Sequence, residues 1–437
     1  MTIFRAIFRA RVLDTPHDPF TGGTLRSDDD AGLAVTGGTI VDRGPFAEVR
    51  ARYPDREVVD LRAGVLLPGL VDTHVHFPQI RIIGGLGMPL LDWLERCALP
   101  EEARMVDVGY ARGVAAEFVT ALLGAGTTTA VVFGAHFAPA VHALFEAAEA
   151  AGPRITSGLV VSDRLLHPQL HTTPQLAYDE GKQLAARWHG RGRARYAVIP
   201  RFSLSCTDDL LASCQALHDD VPGTWVTSHL NENPAEIAKV RELFGCDYLD
   251  SYHKHGLVGP RSVFAHDVHP TDAELTLLGA TGATVAHCPT SNAALGSGLF
   301  PLARHLRHGA AVALGSDVGA GTGFSLFKEG LQAYFAQRLL GADGAALTAA
   351  HLLHMATSAG AKALGLDDVV GDLGTGKRFD ALWLHPARGS SLDLALRHAG
   401  DPDDALAKIF AHATPHDIET VWVEGTPVSP PPVGTAR

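Results

Sequence analysis

From about residue 68 onward, short apolar runs alternate with longer stretches of helical periodicity. The runs read LLPGLVDTHVH, TTTAVVF, ITSGLVV, YAVIPRFSL, TWVTSHL, SVFAHDVH, ATVAHCP and AVALGSD, the last ending at Asp317. Each is the length of a strand buried on both faces. Between them, apolar positions such as Ala111, Ala115, Phe118 and Leu122 recur at steps of four, three and four, as on one face of a helix. Eight strand-then-helix units in series predict an α/β fold of the (β/α)8 barrel type. After Asp317, helices follow, including SLFKEGLQAYFAQRLL.

The flanks have another rhythm. Residues 1–67 hold short strand-like pieces (AVTGGTIVD, REVVDL, GVLL) and turn signals such as TGG. FDALWLHP and IETVWVEGTPV near the other end are strand-like again. The expected organisation is a barrel over 68–375, with 1–67 and 376–437 meeting in one small β-sandwich domain. The opening MTIFRAIFRARVLDTP alternates basic and apolar residues without a continuous apolar core, so it reads as an edge strand and not as a signal peptide. PVSPPPVGTAR at the end reads as a loose tail.

Composition narrows the function classes. A 437-residue chain that is 46% hydrophobic can bury a large core. Its formal net charge of -12 disfavours nucleic acid and anionic membranes as partners, both of which call for a basic face. No run reaches the ~18 apolar residues that a spanning helix needs. The five cysteines, Cys97, Cys206, Cys214, Cys246 and Cys288, show neither a pairing pattern nor CxxC spacing. A cytoplasmic enzyme acting on a small molecule is the expected class.

The chemistry gathers at strand ends. His74 and His76 lie two apart in a strand, so they share a face, and that face opens at the mouth of a barrel. The fifth run ends at His229 with Glu232 three residues on, the sixth at His266 with His269 beyond, and the eighth at Asp317. Three histidines and a carboxylate can hold zinc and leave one position for water, which a fourth histidine can orient. Packing alone does not account for so many polar strand ends, because buried charges are rarely left unpaired. Glu232 has two readings: a proton carrier beside the site, or a carboxylate favoured by the N-terminus of the helix in NENPAEIAKV.

This order of residues closely resembles the amidohydrolase superfamily, with His-x-His on the first strand, His on the fifth and sixth, and Asp on the eighth. The resemblance implies that His74, His76, His229 and Asp317 bind one metal, while His266 holds the attacking water. The fourth run, IPRFSLSC, has no lysine at its end, which favours the single-metal deaminase branch. VDTHVHFPQ, LLDWLERCALPEE, RFSLSC, SHLNEN and AHCPTSN together are similar to the guanine deaminase family. That likeness implies a purine pocket made by Gln79, Arg201, Phe202 and Trp93, with Glu232, Asp317 and His266 as the catalytic groups. It also implies zinc (one per subunit, with iron(II) as the alternative), a homodimer, and a place in purine catabolism. The chain departs from the family at Asn231, where Ser is frequent, and in the glycine pattern of DVGAGTGFS.

The residue types agree with that pocket. Arginine only donates, so Arg201 suits the O6 acceptor of guanine, whereas Gln79 can donate and accept along another edge of the base. Phe202 and Trp93 can pack on the flat ring. Against this, an arginine at a strand end is commonly a surface ion pair, and Trp93 in an amphipathic stretch can be plain core.

Two glycine-rich stretches are false leads. GDLGTGKR (371–378) has Arg378 where a phosphate-binding loop needs Ser or Thr, and a strand follows instead of a helix. GAGTGF (319–324) lacks a dinucleotide-binding context and reads as part of a lid. Cys288 is expected as a buried structural thiol, with His287 supporting the pocket. The rival readings are a deaminase or chlorohydrolase of another nitrogen ring (8-oxoguanine, cytosine, triazine) and a non-catalytic scaffold.

Overall fold

The computed structural model describes residues 5–428, so the expected tail lies outside it except for Pro427 and Val428. The first four strands are β1 (Arg5–Asp14), β2 (Arg26–Thr36), β3 (Thr39–Pro45) and β4 (Glu57–Pro68). The next eight are β5 (Leu70–His76), β6 (Thr127–Ala135), β7 (Arg154–Val161), β8 (Ala194–Pro200), β9 (Trp225–Leu230), β10 (Ser262–His266), β11 (Thr284–His287) and β12 (Ala311–Leu314). Three more follow: β13 (Ala381–Leu384), β14 (Ile418–Val423) and β15 (Thr426–Pro427).

β5 to β12 neighbour one another in chain order in an eight-stranded sheet, and the eight apolar runs supply them. Their residues are almost all buried, as strands covered by helices on the outside must be. Helices Val108–Gly124, Ala138–Ala151, Pro174–Trp188 and Asp208–Asp220 form part of that cover. Ala111, Ala115, Phe118 and Leu122 are the buried face of the first of them. The leading run LLPGLVDTHVH proves to be two strands. Its start closes β4 in the other sheet, and β5 begins only after Gly69.

The barrel closes where β12 meets β5. Asp317 N donates to His74 O at 2.8 Å, and His76 N to Val318 O at 2.8 Å. Thr73 Oγ1 donates to Leu314 O at 2.8 Å. The Asp72 carboxylate spans the seam, accepting from Ser316 N at 3.0 Å and from Ser316 Oγ at 2.5 Å. Gly315 is needed here, because a Cβ would lie 3.0 Å from both Cys288 Sγ and His74 Cβ.

Strands from both termini form the second sheet, in the order β15-β14-β13-β4-β1-β2-β3. The sheet curls over itself. Phe8 of β1 and Trp422 of β14 have ring centroids 5.6 Å apart, although their strands stand three positions apart, about 14 Å in a flat sheet. Phe379 stacks on Phe8 at 4.1 Å in the same core. β1 is not the expected edge strand: it pairs with β2 on one side and β4 on the other. Its alternating arginines mark a solvated face. Arg9 pairs across to Asp30 on β2 at 2.6 Å, and Arg11 to Asp29 at 3.5 Å. GDLGTGKR is a turn, as expected, in which Lys377 Nζ holds the Asp372 carboxylate and Phe379 N donates to Gly38 O.

A buried ion pair couples the two sheets. Arg154, the first residue of β7, reaches Asp380 at 3.1 Å and Glu424 at 2.8 Å. Removing one member of such a pair leaves a buried charge alone. Arg154→Ala should therefore destabilise the fold by about 3 kcal/mol or more, read as a lower denaturant midpoint than that of the wild type. An unchanged midpoint would show that the coupling is solvated.

Candidate active site

At the barrel mouth, β5, β9 and the segment after β12 bring four side chains to one point. His74, His76, His229 and Asp317 each offer a ligand atom, and these atoms all lie within 4.8 Å of one another. The Nε2 atoms of His74 and His76 are 3.1 Å apart, and His229 Nε2 is 3.3 Å from that of His76. Asp317 Oδ1 lies 3.2 Å from Nε2 of both His74 and His76. Burial pushes all three imidazoles down, His76 to about 4, and so favours their neutral, lone-pair-bearing forms. Burial opposes ionisation of Asp317, yet the contacts with His74 and His76 hold its carboxyl well below the usual range. His229 Nδ1 sits 2.6 Å from Arg201 O, so it donates there and leaves Nε2 as an acceptor. Convergent acceptors without a cation would repel one another, which makes this donor set fit for a divalent metal ion.

His266 closes the mouth from the β10 side. Its Nδ1 is 3.0 Å from Asn292 Oδ1, the geometry of a donated proton, which leaves Nε2 as an acceptor facing the cluster. That Nε2 has no hydrogen-bond partner of its own, and lies 3.5 Å from Glu232 Oε2 and 3.7 Å from Asp317 Oδ2. Glu232 reaches the same place because the chain reverses immediately after β9. Asn231 adopts φ 46°, a left-handed conformation that Asn tolerates better than most residues. Its side chain locks the turn by donating to Asp267 Oδ1 at 2.9 Å. Burial first, and the charge of Asp317 second, raise Glu232 to about 8, while Ser297 Oγ donates to it at 3.3 Å. The helix N-cap role goes to Asn233 instead, whose side chain accepts from Ala235 N at 2.9 Å.

The pocket beside these groups is lined by Gln79, Leu90, Trp93, Leu94, Arg201 and Phe202, together with His76, His229, Glu232, His266 and Asp317. Of the residues expected at the site, only His74 lies deeper, under the others. Trp93 sits where the helix Leu90–Trp93 runs into a π-helical segment, Leu94–Ala98, and its buried indole N–H has no partner. Phe202 stands edge-on to His229 with centroids 6.2 Å apart. Ala320, from the GAGTGF stretch, lines the rim. Cys288 is buried with its thiol donating to Ala286 O at 3.4 Å, and His287 stacks on Phe300 with centroids 4.2 Å apart.

Residues 65–428 match the amidohydrolase family. The chain belongs to that family. Within it, the chain groups with the guanine deaminases. It is 58% identical over 427 residues to a probable guanine deaminase of Deinococcus radiodurans, covering 96% of this chain and 97% of that one. The guanine deaminase of E. coli superposes with a TM-score of 0.93 at 36% identity, covering 97% of this chain and 99% of the other. The C. acetobutylicum enzyme, solved with guanine in its active site, superposes with a TM-score of 0.90 at 27% identity, covering 97% and 100%. A short stretch, residues 31–55, also matches an imidazolonepropionase-like composite domain of bacteria.

This amidohydrolase site holds one residue that sequence reasoning passed over. Glu102, in the helix Leu99–Ala103, is buried against three expected or neighbouring polar groups. It accepts from Arg201 Nη2 at 2.8 Å and Nε at 3.3 Å, and from Gln79 Nε2 at 2.7 Å. His136 Nε2 lies 3.3 Å away. Arg201 is therefore neither a surface ion pair nor a bare cation awaiting a ligand: it already has an acceptor within the protein. Gln79 is also engaged, since its Oε1 accepts from Gly319 N at 3.1 Å. The signal was present in LPEE: the need of a buried Arg201 for a carboxylate could have been set against two adjacent acids on an amphipathic helix.

Behind Glu232 lies Glu236, fully buried, which accepts from the Tyr248 hydroxyl and leaves Oε2 unpartnered. Burial, then the charge of Glu232, raise it to about 8. A folded pKa above the unfolded one gives stability that is complete below about 4.5 and is lost as pH climbs through about 8. Glu236→Gln should flatten the fall of the unfolding midpoint across that window, and an unaltered slope would assign the loss to other groups. The ligand cluster has a separate test. Wild-type protein should retain roughly one equivalent of a divalent metal by elemental analysis, and His229→Ala should lose most of it.

Proposed function

We propose that this chain hydrolyses guanine to xanthine and ammonia. The observation that carries the reading is the convergence of Glu232, His266 and Asp317 in a pocket that Arg201 and Phe202 also line. Chemistry and recognition thus share one pocket. Zinc suits three imidazoles and a carboxylate, and iron(II) accepts the same donors. His74, His76, His229 and Asp317 would hold the ion, which when bound makes water acidic enough to ionise near neutral pH.

The remaining chemistry belongs to the side chains. Asp317 and His266 orient the attacking water, His266 through the Nε2 that its bond to Asn292 leaves free. The water oxygen adds to C2 of the base, and the bond from C2 to the exocyclic amine breaks. Glu232 carries one proton of the water to a ring nitrogen beside C2, then takes the second from the new C2 hydroxyl and passes it to the amine, which departs as ammonia and leaves a carbonyl at C2. Its raised pKa suits a group that must both accept and give a proton near neutrality.

Recognition rests on Arg201 Nη1, the one guanidinium nitrogen not used by Glu102, as donor to the O6 carbonyl. Phe202 packs on the ring, and the unpartnered indole N–H of Trp93 supplies a further donor. Gln79 holds the wall in place through its bonds to Glu102 and Gly319. No helix among the described residues is long and apolar enough to cross a membrane. The family resemblance supports a homodimer that works in the cytoplasm, in purine catabolism, with 68–375 as its catalytic unit.

Metal-loaded protein should convert guanine to a product with the ultraviolet spectrum of xanthine, with one ammonia released per turnover. Glu232→Gln should cut the rate by roughly 10²–10⁴-fold while guanine still binds. Faster turnover of 8-oxoguanine, cytosine or a triazine in parallel assays would overturn the substrate assignment while leaving the hydrolytic site standing.

A further inference from the structure

Arg201 and Glu102 form a pair sealed from solvent, 2% and 4% exposed. Two hydrogen bonds join them, and the same carboxylate takes the amide of Gln79. Glu102 does not line the pocket; it stands behind the two residues that do. Its ionisation is secure, because the Arg201 charge and the contact with His136 outweigh burial and keep the carboxyl well below its ordinary range. The recognition wall therefore carries a guanidinium whose charge is cancelled one layer back. The donors face the ligand without a net cation behind them.

That arrangement matters because substrate and product differ in acidity. Replacing the exocyclic amine at C2 by a carbonyl turns an amidine-like edge into an imide-like one, whose ring N–H ionises more readily. A bare guanidinium would hold the resulting anion more tightly than the neutral substrate. We propose that Glu102 is a positioning and charge-setting residue: by neutralising Arg201 it makes the pocket prefer a neutral oxopurine and release the more acidic dioxopurine product. This inference rests on the proposed deamination of guanine. The other charged or titratable groups around the pocket are Glu232, Asp317, His76, His229 and His266, with His136 beside Glu102. Substitution at Glu102 leaves all of them in place.

The test is steady-state kinetics of the metal-loaded protein, reading the inhibition constant for xanthine against KM for guanine. In Glu102→Gln the ratio of the two should fall by about tenfold, and further as pH rises and xanthine ionises, because an unmasked charge favours the anion selectively. A merely structural role would weaken both ligands together and leave the ratio unchanged, and that result would overturn the proposal. Glu102→Asp keeps the charge on a shorter arm, so KM should rise while the ratio stays at the wild-type value. If Glu102→Gln does not fold, the wild type decides: its inhibition constant for xanthine should rise as the product ionises, and a fall over that range would overturn the idea. Wild-type protein that leaves guanine intact sinks the proposed function itself, a result distinct from turnover with an unchanged ratio.

Discussion

The seam between the first and last barrel strands is the constraint on which the site depends. His74 O accepts from Asp317 N, so two ligand-bearing backbones are bonded directly to each other. Asp72 stiffens the joint through Ser316, and Gly315 lets the strands approach closely. Burial raises Asp72 to about 7, against the hydrogen bonds from Ser316 and His74 that pull it down. Opening the seam would separate Asp317 from His74 and His76, and the ligand cluster would cease to exist as a unit.

From that seam the remaining parts are placed by sharp turns. Asn231, His266, Asp267 and Asp317 all have positive φ in the left-handed region. Each lies at or just past a strand end, where backbone strain of about 1–3 kcal/mol per residue is tolerated because the surrounding packing fixes it. The turns have a chemical consequence. A strand continued in regular pleat would point Glu232 away from His229; the reversal at Asn231 brings its carboxylate to 3.5 Å from His266 Nε2. Strain at the mouth and rigidity in the strands below are two aspects of one design.

The pocket wall of Arg201 and Phe202 obeys a different rule, that of buried charge. Arg201 cannot be sealed at the end of β8 without a carboxylate, and Glu102 supplies it from a helix 99 positions earlier in the chain. Phe202 and Trp93 then present apolar surface beside polar donors, the usual composition of a small-molecule site. Through Arg154, Asp380 and Glu424, the second sheet is fastened to the start of β7, at the end of the barrel opposite the chemistry.

The order of strands and the chemical type of their ends were already determined by the sequence. Period and length identified eight buried runs, and a histidine or aspartate at the tip of a barrel strand is well placed to face the mouth, although His287 at the tip of β11 stacks on Phe300 instead. His74, His76, His229, His266 and Asp317 were legible for that reason. What adjoins what across the chain was decided by tertiary structure alone. β1 looked like an edge because arginines alternate in it, yet β2 supplies their carboxylates and β4 covers its other side. Glu102 was passed over for a similar reason: an acid in an amphipathic helix looks solvated until the fold sets a buried guanidinium against it. Local pattern fixes which way a side chain points, whereas pairing a charge depends on contacts between segments far apart in the chain, and those exist only once the barrel has closed.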